Sequence, residues 1–368
     1  MPTLFDSYTL SGLPLRNRAV MAPMTRARNP DAVPNDLTAQ YYRQRAGAGL
    51  IVTEGVPVSE IANGNLYVPG LYTDAQVEGW TKVTQAVHAE GGAIFAQLWH
   101  VGRASHQNLL MGRKPHSSTA RTAQTKVFAY DLNGKPGFVP ATEPHAMTTE
   151  EVRETAFDFG KAAHRAIKAG FDGVEIHGAN GYLLEQFLNP LVNDRTDQYG
   201  AQNLDDRVRF VLEVVDSVVA ATAAGKVGIR LSPWGRFNDM PDYAQIEDTY
   251  LHLIRKLAER ELAYVHLMDQ SNGQGRPEVD GQNAAFLAKV REAFPKGAII
   301  HAGAMTLESG NDLLQQGLVD LVGFGQPFIS NPDLVQRLQH GWPLVQPDRR
   351  TYYGGGSEGY TDYPAYQG

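Results

Sequence analysis

The residues most able to do chemistry in this chain fall in four short phrases. In His177-Gly-Ala-Asn-Gly-Tyr182 an imidazole and an amide lie three residues apart, in a loop where Gly178 and Gly181 permit unusual backbone angles. Two fixed donors aimed at one carbonyl or nitro oxygen would stabilise the negative charge that grows there during reduction, an effect worth about 3–4 kcal/mol per donor. The Tyr182 phenol, of ordinary pKa roughly 10, is placed to supply a proton in the same step. The plainer alternative for His177 is a strand-end histidine satisfied by backbone. Gly228-Ile-Arg-Leu-Ser-Pro233 sets the Arg230 guanidinium inside an apolar run, which is costly unless the charge is paired. It calls either for an anion or electron-rich ring at the end of its strand, or for a salt bridge to Glu54 or Glu175. The last two phrases, His301-Ala-Gly-Ala304 and Gly323-Phe-Gly-Gln326, offer backbone N–H groups that an anion such as phosphate can approach, although glycines there also serve as simple turns.

These phrases follow a repeated pattern of polar cap, helix with 3.6-residue apolar spacing, Gly or a short break, and a β-branched run. Thr73 with Gln76 predicts a capping box, Val77, Trp80, Val83 and Val87 form the stripe, Gly91 and Gly92 stop it, and a strand follows over Ala93–Gln97. Thr148 with Glu151 repeats the design through Val152, Ala156, Phe159, Ala163 and Ile167 to Gly170 and a strand at Val174–His177. Further copies run from Leu251, Ile254 and Leu257 to Tyr264–Leu267, and from Leu313 and Leu314 to Leu321–Phe324. With Ala19–Ala22, Gly49–Thr53, Val227–Leu231 and Ala298–His301, about eight strands alternate with helices, the count of a closed (β/α)8 TIM barrel. A doubly wound open sheet permits the same alternation but gathers its chemistry at one switch point. Here polar residues end many strands: Thr25, Gln97, His177 with Asn180, and Arg230. They converge only if the sheet closes, so the barrel is the expected fold. The 368 residues exceed the typical barrel by about 100. One domain over 1–368 is expected, with an N-terminal hairpin, a polar capping insertion after the third strand at about 101–147, and a C-terminal tail at about 350–368. On composition alone Tyr352–Tyr360 reads as flexible.

A net charge of −7 without a dominant Lys/Arg cluster argues against a nucleic-acid partner. The absence of cysteine excludes thiolate catalysis, iron–sulfur clusters, Cys-ligated zinc and disulfides, so redox chemistry needs a bound organic cofactor or a His/carboxylate metal. Metal catalysis would draw on His100, His177, His266 and His301, but no H-x-H or H-E-x-x-H pairing occurs; no metal is expected. No G-x-G-x-x-G in a strand-to-helix context and no P-loop is present, and a phosphate-binding isomerase or aldolase would want a strand-end Lys that is not there. No apolar run approaches the roughly 20 residues of a membrane span, and the N-terminus lacks signal-peptide features. A cytoplasmic location, no membrane partner and a monomer or homodimer are expected. Among organic cofactors, a flavin that becomes anionic on reduction suits Arg230.

Met21-Ala-Pro-Met-Thr-Arg26, Tyr41-Tyr-Arg-Gln-Arg-Ala46, Ala96-Gln-Leu-Trp-His-Val-Gly-Arg103, Glu175 to Phe187, Asn193-Asp-Arg-Thr-Asp-Gln-Tyr-Gly200 and Gly354 to Pro364 together resemble the Old Yellow Enzyme family of FMN-dependent ene-reductases. The likeness runs in family order from Leu4 to Pro364 and is strongest to its bacterial branch of pentaerythritol tetranitrate, N-ethylmaleimide and morphinone reductases. By that resemblance Thr25 would bond the flavin carbonyl, and Gln97 and Arg230 would hold its pyrimidine edge. Pro23, Met24, Gly55, Gly303, Ala304, Gly325 and Gln326 would line the non-covalently bound FMN. Trp99, Tyr67 and Tyr353 would wall the pocket, His177 and Asn180 would bind the substrate oxygen, and Tyr182 would donate the proton. The resemblance implies a ping-pong cycle in which NADPH or NADH reduces FMN, and an activated alkene then receives hydride at its β-carbon and a proton from Tyr182. Substrates would be α,β-unsaturated carbonyls and maleimides, with nitro compounds or nitrate esters at the margin. Two departures stand out. Gln326 occupies a position where the family carries an arginine that meets the FMN phosphate, which predicts weaker FMN retention. Asn63-Gly-Asn-Leu-Tyr67 lacks the family's pocket aromatic near Asn65, leaving Tyr67 as a shifted replacement. The alternative function is a flavin-binding sensor or inactive scaffold whose Gln326 has loosened the cofactor.

Overall fold

Three helices begin with a hydroxyl cap that closes on itself. Thr73 with Gln76, Thr148 with Glu151 and Thr306 with Ser309 each exchange side-chain-to-backbone hydrogen bonds across the first turn, satisfying donors that a helix start leaves orphaned. Two of the three are the capping boxes read from the sequence. The computed structural model describes residues 1–270 and 284–368.

In chain order, a hairpin of β1 (Tyr8–Leu10) and β2 (Leu13–Leu15) precedes β3 (Ala19–Met21), α1 (Asp36–Gln44), β4 (Leu50–Pro57), α2 (Asp74–Ala89) and β5 (Ile94–Trp99). The insertion holds β6 (His116–Ser117), β7 (Lys126–Tyr130), β8 (Pro136–Pro140) and β9 (His145–Ala146). Then come α3 (Thr149–Lys168), β10 (Gly173–Gly178), α4 (Leu183–Leu188), α5 (Leu204–Ala221), β11 (Val227–Leu231), α6 (Ile246–Ala258) and β12 (Tyr264–Met268). The chain ends with α7 (Ala284–Ala293), β13 (Ala298–Ala302), α8 (Leu307–Gln315), β14 (Leu321–Phe324), α9 (Gln326–Ser330) and α10 (Leu334–His340). Strands β3, β4, β5, β10, β11, β12, β13 and β14 pair in parallel and close into a barrel, as expected. The open-sheet alternative is excluded because β14 pairs with β3.

Inside the barrel, side chains two residues apart on each strand form successive layers. The floor is apolar: Val20, Val52, Phe95, Tyr264 and Ile300 pack with Leu10 and Leu15 of the hairpin, which plugs the N-terminal end. The Phe95 and Tyr264 rings meet at 5.8 Å and leave no room for a neighbour's side chain. A Cβ at Gly173 would fall 2.4 Å from Phe95 Cζ, and one at Gly228 would fall 2.2 Å from the Tyr264 ring. Two residues further along the same strands come Gln97, Glu175, Arg230 and His266, all buried. The apolar floor thus excludes water from beneath a polar layer.

The insertion is less irregular than its weak periodicity suggests: β7 and β8 form an antiparallel ribbon, and β6 pairs with β9. The expectation of a flexible terminal segment is corrected. Tyr360 is fully buried and stacks on Tyr41 with ring centroids 4.2 Å apart, while Arg26 donates to the carbonyls of Tyr352 (3.0 Å) and Gly359 (2.8 Å). Glycine-rich backbone here means an irregular path fixed by long-range contacts rather than freedom.

Candidate active site

A cavity of about 670 Å³ opens at the C-terminal mouth of the barrel. Its wall comes from the loop after β3, the ends of β11 to β14, and the terminal segment at Tyr352 and Tyr353. Of the residues expected at the site, Pro23, Met24, Thr25, Asn180, Arg230, Gly303, Ala304, Gly325, Gln326 and Tyr353 line it. Gly55, Gln97, Trp99, His177, Tyr182 and Tyr67 are not on that wall, and each has an identifiable neighbour.

Gln97 Nε2 donates to Glu175 Oε1 at 2.8 Å, in the buried polar layer. Gly55 lies under Trp99, where a Cβ would come within 2.6 Å of the indole, so its glycine is required by the tryptophan. Trp99 is buried, lies nearly parallel to His177 at 6.3 Å, and meets Tyr182 edge-on at 5.0 Å. His177 and Tyr182 are themselves in edge contact at 4.9 Å, so the three rings form one block beside Arg230, the register partner of His177. Tyr67, with φ of 64°, turns its ring onto Phe128 of the insertion at 6.0 Å.

The His177 loop differs from expectation in its backbone. Gly178 remains in β10, while Asn180 (φ 58°) and Gly181 (φ 72°) take the left-handed conformation. At Gly181 a Cβ would meet Phe237 O at 2.2 Å, so only glycine fits. His177 Nδ1 accepts from Ala179 N–H at 3.3 Å, which puts the proton of the neutral ring on Nε2. Burial, helped by the nearby Arg230 charge, holds the imidazole pKa well below its ordinary range, so His177 is a neutral donor. Asn180 Oδ1 accepts from Gln270 Nε2 at 2.9 Å, which orients the amide and leaves its N–H groups as donors. The Tyr182 phenol is pushed up to about 12 by burial and therefore keeps its proton.

Arg230 has neither of the salt bridges considered for it. Glu175 is occupied by His266 Nδ1 at 2.8 Å and by Gln97, and Glu54 accepts from the backbone N–H groups of Arg26 (3.2 Å) and Ala27 (3.3 Å). The guanidinium donates to Met268 Sδ at 3.2 Å, and its Nε is buried without a partner. A buried cation with an unused donor on the cavity wall fits an electron-rich acceptor ring seated there. At the far side Gly303 has φ of 142°, and a Cβ on it would lie 2.4 Å from Asp269 O, so glycine is mandatory; a Cβ at Gly325 would meet nothing nearer than Met24 Sδ at 3.7 Å. Arg230 and the backbone turns at Gly303 and Gly325 therefore suit a long ligand with a ring at one end and an anionic group at the other.

The histidines weighed as metal ligands sit apart in role. Burial takes His100 down to about 3 and His301 to about 4, and His266 pairs with Glu175. Among the described residues, no group of three or more His, Asp or Glu side chains is arranged to hold a metal ion, and no helix is long and apolar enough to cross a membrane. Several site residues carried no sequence signal of their own. Gln270 and Phe237 line the cavity from loops beyond β12 and β11, and Asn238 Nδ2 donates to Asn180 O at 2.8 Å. Polar residues just past strand ends were the available clue for Gln270 and Asn238.

A closed parallel barrel with this strand-end set is the setting in which the likeness to flavin oxidoreductases falls. The chain belongs to the NADH:flavin oxidoreductase / NADH oxidase family, which matches residues 3–344, and within it to the Old Yellow Enzymes. It is 40% identical to flavin oxidoreductase hxnT of Emericella nidulans, over 98% of this chain and 97% of that protein. It is 39% identical to 12-oxophytodienoate reductase 2 of Arabidopsis thaliana, over 98% and 95%. Among solved structures, morphinone reductase in complex with tetrahydroNAD superposes with a TM-score of 0.94 at 42% identity, covering 100% of this chain and 98% of that one. The old yellow enzyme homologue of Zymomonas mobilis gives 0.92 at 36% identity, covering 99% and 100%.

Proposed function

We propose that this enzyme reduces activated C=C bonds, in α,β-unsaturated carbonyls and maleimides, at the expense of NADPH or NADH by a ping-pong cycle. The observation that carries the reading is the His177, Asn180 and Tyr182 loop: two neutral N–H donors and a protonated phenol on one partly buried turn beside Arg230. Bound FMN would supply the hydride chemistry between nicotinamide and alkene. Thr25 would bond the flavin carbonyl and Gln97 and Arg230 would hold its pyrimidine edge, while Pro23, Met24, Gly55, Gly303, Ala304, Gly325 and Gln326 would line the rest of the cofactor. His177 Nε2–H and the Asn180 amide bind the substrate oxygen, drawing electron density from the β-carbon. Tyr182 gives its proton to the α-carbon, and a phenol held near 12 does so only as charge builds there. Trp99, Tyr67 and Tyr353 shape the approach.

The absorption spectrum of the purified protein tests this directly. Flavin colour bleached by NADPH or NADH under nitrogen and restored by 2-cyclohexenone is the expected result. A reduced flavin that enones and maleimides leave bleached, while oxygen restores it, would refute alkene reduction.

A further inference from the structure

Glu185 is a buried acid with no cation against it among the described residues. It is the third residue of α4, whose sequence Leu183-Leu-Glu-Gln-Phe-Leu188 is buried throughout. Its carboxylate receives three donors: Gly181 N–H at 2.6 Å and the Ser232 hydroxyl at 3.0 Å on Oε2, and the Tyr250 hydroxyl at 2.7 Å on Oε1. Ser232 Oγ in turn accepts from Asn180 N–H at 2.7 Å. Two consecutive backbone amides of the His177 loop, both in left-handed conformation, are therefore anchored on one acid, directly at Gly181 and through Ser232 at Asn180. A glutamate at this place in a helix commonly reaches back to a cap amide. Here it reaches one residue further, into the turn that aims Asn180 and Tyr182.

We propose that Glu185 is a positioning residue of the active site, its carboxylate setting the strained Asn180-Gly181 backbone so that the Asn180 amide and the Tyr182 phenol address the same substrate. The inference rests on the proposed function for what the loop binds, though not for how the loop is held. Ionised Glu185 only accepts, which matches three donors; protonating it obliges Ser232 or Tyr250 to turn its hydroxyl round, and Ser232 is the link to Asn180. Burial raises this carboxyl to about 7, against the pull of its three hydrogen bonds. The groups facing it are Tyr250 from α6, Tyr243 from the loop before α6, and beyond Tyr243 the Arg207 guanidinium of α5.

The test uses FMN-loaded enzyme. With a midpoint near 7, wild-type kcat/KM for 2-cyclohexenone should rise roughly ninefold from pH 6 to pH 8, as the ionised fraction goes from about 0.1 to about 0.9. Glu185→Gln, which keeps the shape, should lose this limb and hold a low value throughout, whereas Tyr250→Phe, which removes one donor, should move the limb to higher pH. Glu54→Gln, removing the other raised acid beside the site, should leave it in place. A limb identical in wild type and Glu185→Gln overturns the proposal. Amide hydrogen exchange supplies a readout without any alkene: at fixed pH 8, the peptide spanning residues 179–183 should exchange at least tenfold faster in Glu185→Gln while the barrel strands stay unchanged. Unchanged exchange there overturns the proposal even if the enzyme reduces enones, and faster exchange in a protein inert to enones would sustain it while the alkene reading fell.

Discussion

Replacing Gln326 by arginine should tighten FMN binding, and the size of the gain follows from the charges around the cavity. Among the described residues, the cationic side chains on its wall are Arg26 and Arg230. Arg26 is committed to the carbonyls of Thr351, Tyr352 and Gly359 and to the Tyr41 hydroxyl, and Arg230 sits beside Met268 and the Glu175 charge. A phosphate near Gly303 and Gln326 therefore meets backbone N–H groups and a neutral amide. A hydrogen bond to a charged group contributes about 1.5–3 kcal/mol and a neutral one about 0.5–1.5, so Gln326→Arg stands to gain about 1 kcal/mol. Residue 326 lies exposed on the rim, and solvent screening trims that figure, leaving a tightening of roughly threefold to fivefold. Titration of deflavinated protein with FMN, followed by quenching of flavin fluorescence, measures it. The gain should shrink between about 0.1 M and 1 M salt, as the screening length falls from about 10 Å to about 3 Å. A Kd within twofold of wild type at low salt would refute the idea that the phosphate end lacks a cation.

Three further outcomes are expected. Tyr182→Phe keeps the ring contacts with Trp99 and His177 but removes the acid, so stopped-flow reoxidation by an enone should slow by about 10²–10⁴-fold, with a loss below tenfold counting against the proton-donor role. Burial raises Glu54 to about 7, and its Oε1 is buried without a partner, so the folded protein prefers it protonated. The stability this gives is complete below the ordinary carboxylate range and disappears as pH rises through about 7, amounting to about 3 kcal/mol. Glu54→Gln should accordingly raise Tm at pH 8 and leave it nearly unchanged at pH 4.5, and a gain of equal size at both would argue against it. Arg26→Leu removes the donors to the Tyr352 and Gly359 carbonyls and leaves that of Thr351 to Arg28, so chymotrypsin should cut near Tyr352 and Tyr353 before the barrel unfolds; simultaneous loss of both would show the segment to be part of the same cooperative unit.

What the sequence made legible was local. The strands at Val227–Leu231 and Leu321–Phe324 coincide with their β-branched runs, and the boxes at Thr73 and Thr148 depend on residues three apart. Polar side chains at strand ends signalled the site because an apolar strand has no other use for them. The obscure parts depend on partners distant in sequence. Tyr360 is held by Tyr41 and Arg26 from the other end of the chain, and nothing in a glycine-rich composition announces a buried ring. The partner of Arg230 was ambiguous because each candidate acid had its own neighbours: His266 and Gln97 occupy Glu175, and two backbone amides occupy Glu54. Glu185 is hidden in the sequence for a similar reason. A glutamate on a short helix reads as a solvated face until Ser232 and Tyr250 are brought onto it from β11's end and α6.

The polar layer also shows how one charge can serve two purposes. Phe95 and Tyr264 shut water out from below, so the Arg230 charge is poorly screened and acts strongly on whatever shares the layer. The Arg230 Nε is buried without a partner, which favours an electron-rich acceptor on the cavity wall over an empty one. Toward β10 the charge adds to burial in disfavouring a second positive charge on His177, whose proton the bond from Ala179 N–H leaves on Nε2. Glu175 offsets part of that charge while its oxygens accept from His266 of β12 and Gln97 of β5. The same charge that suits an electron-rich ring in the cavity therefore also favours the neutral state of His177.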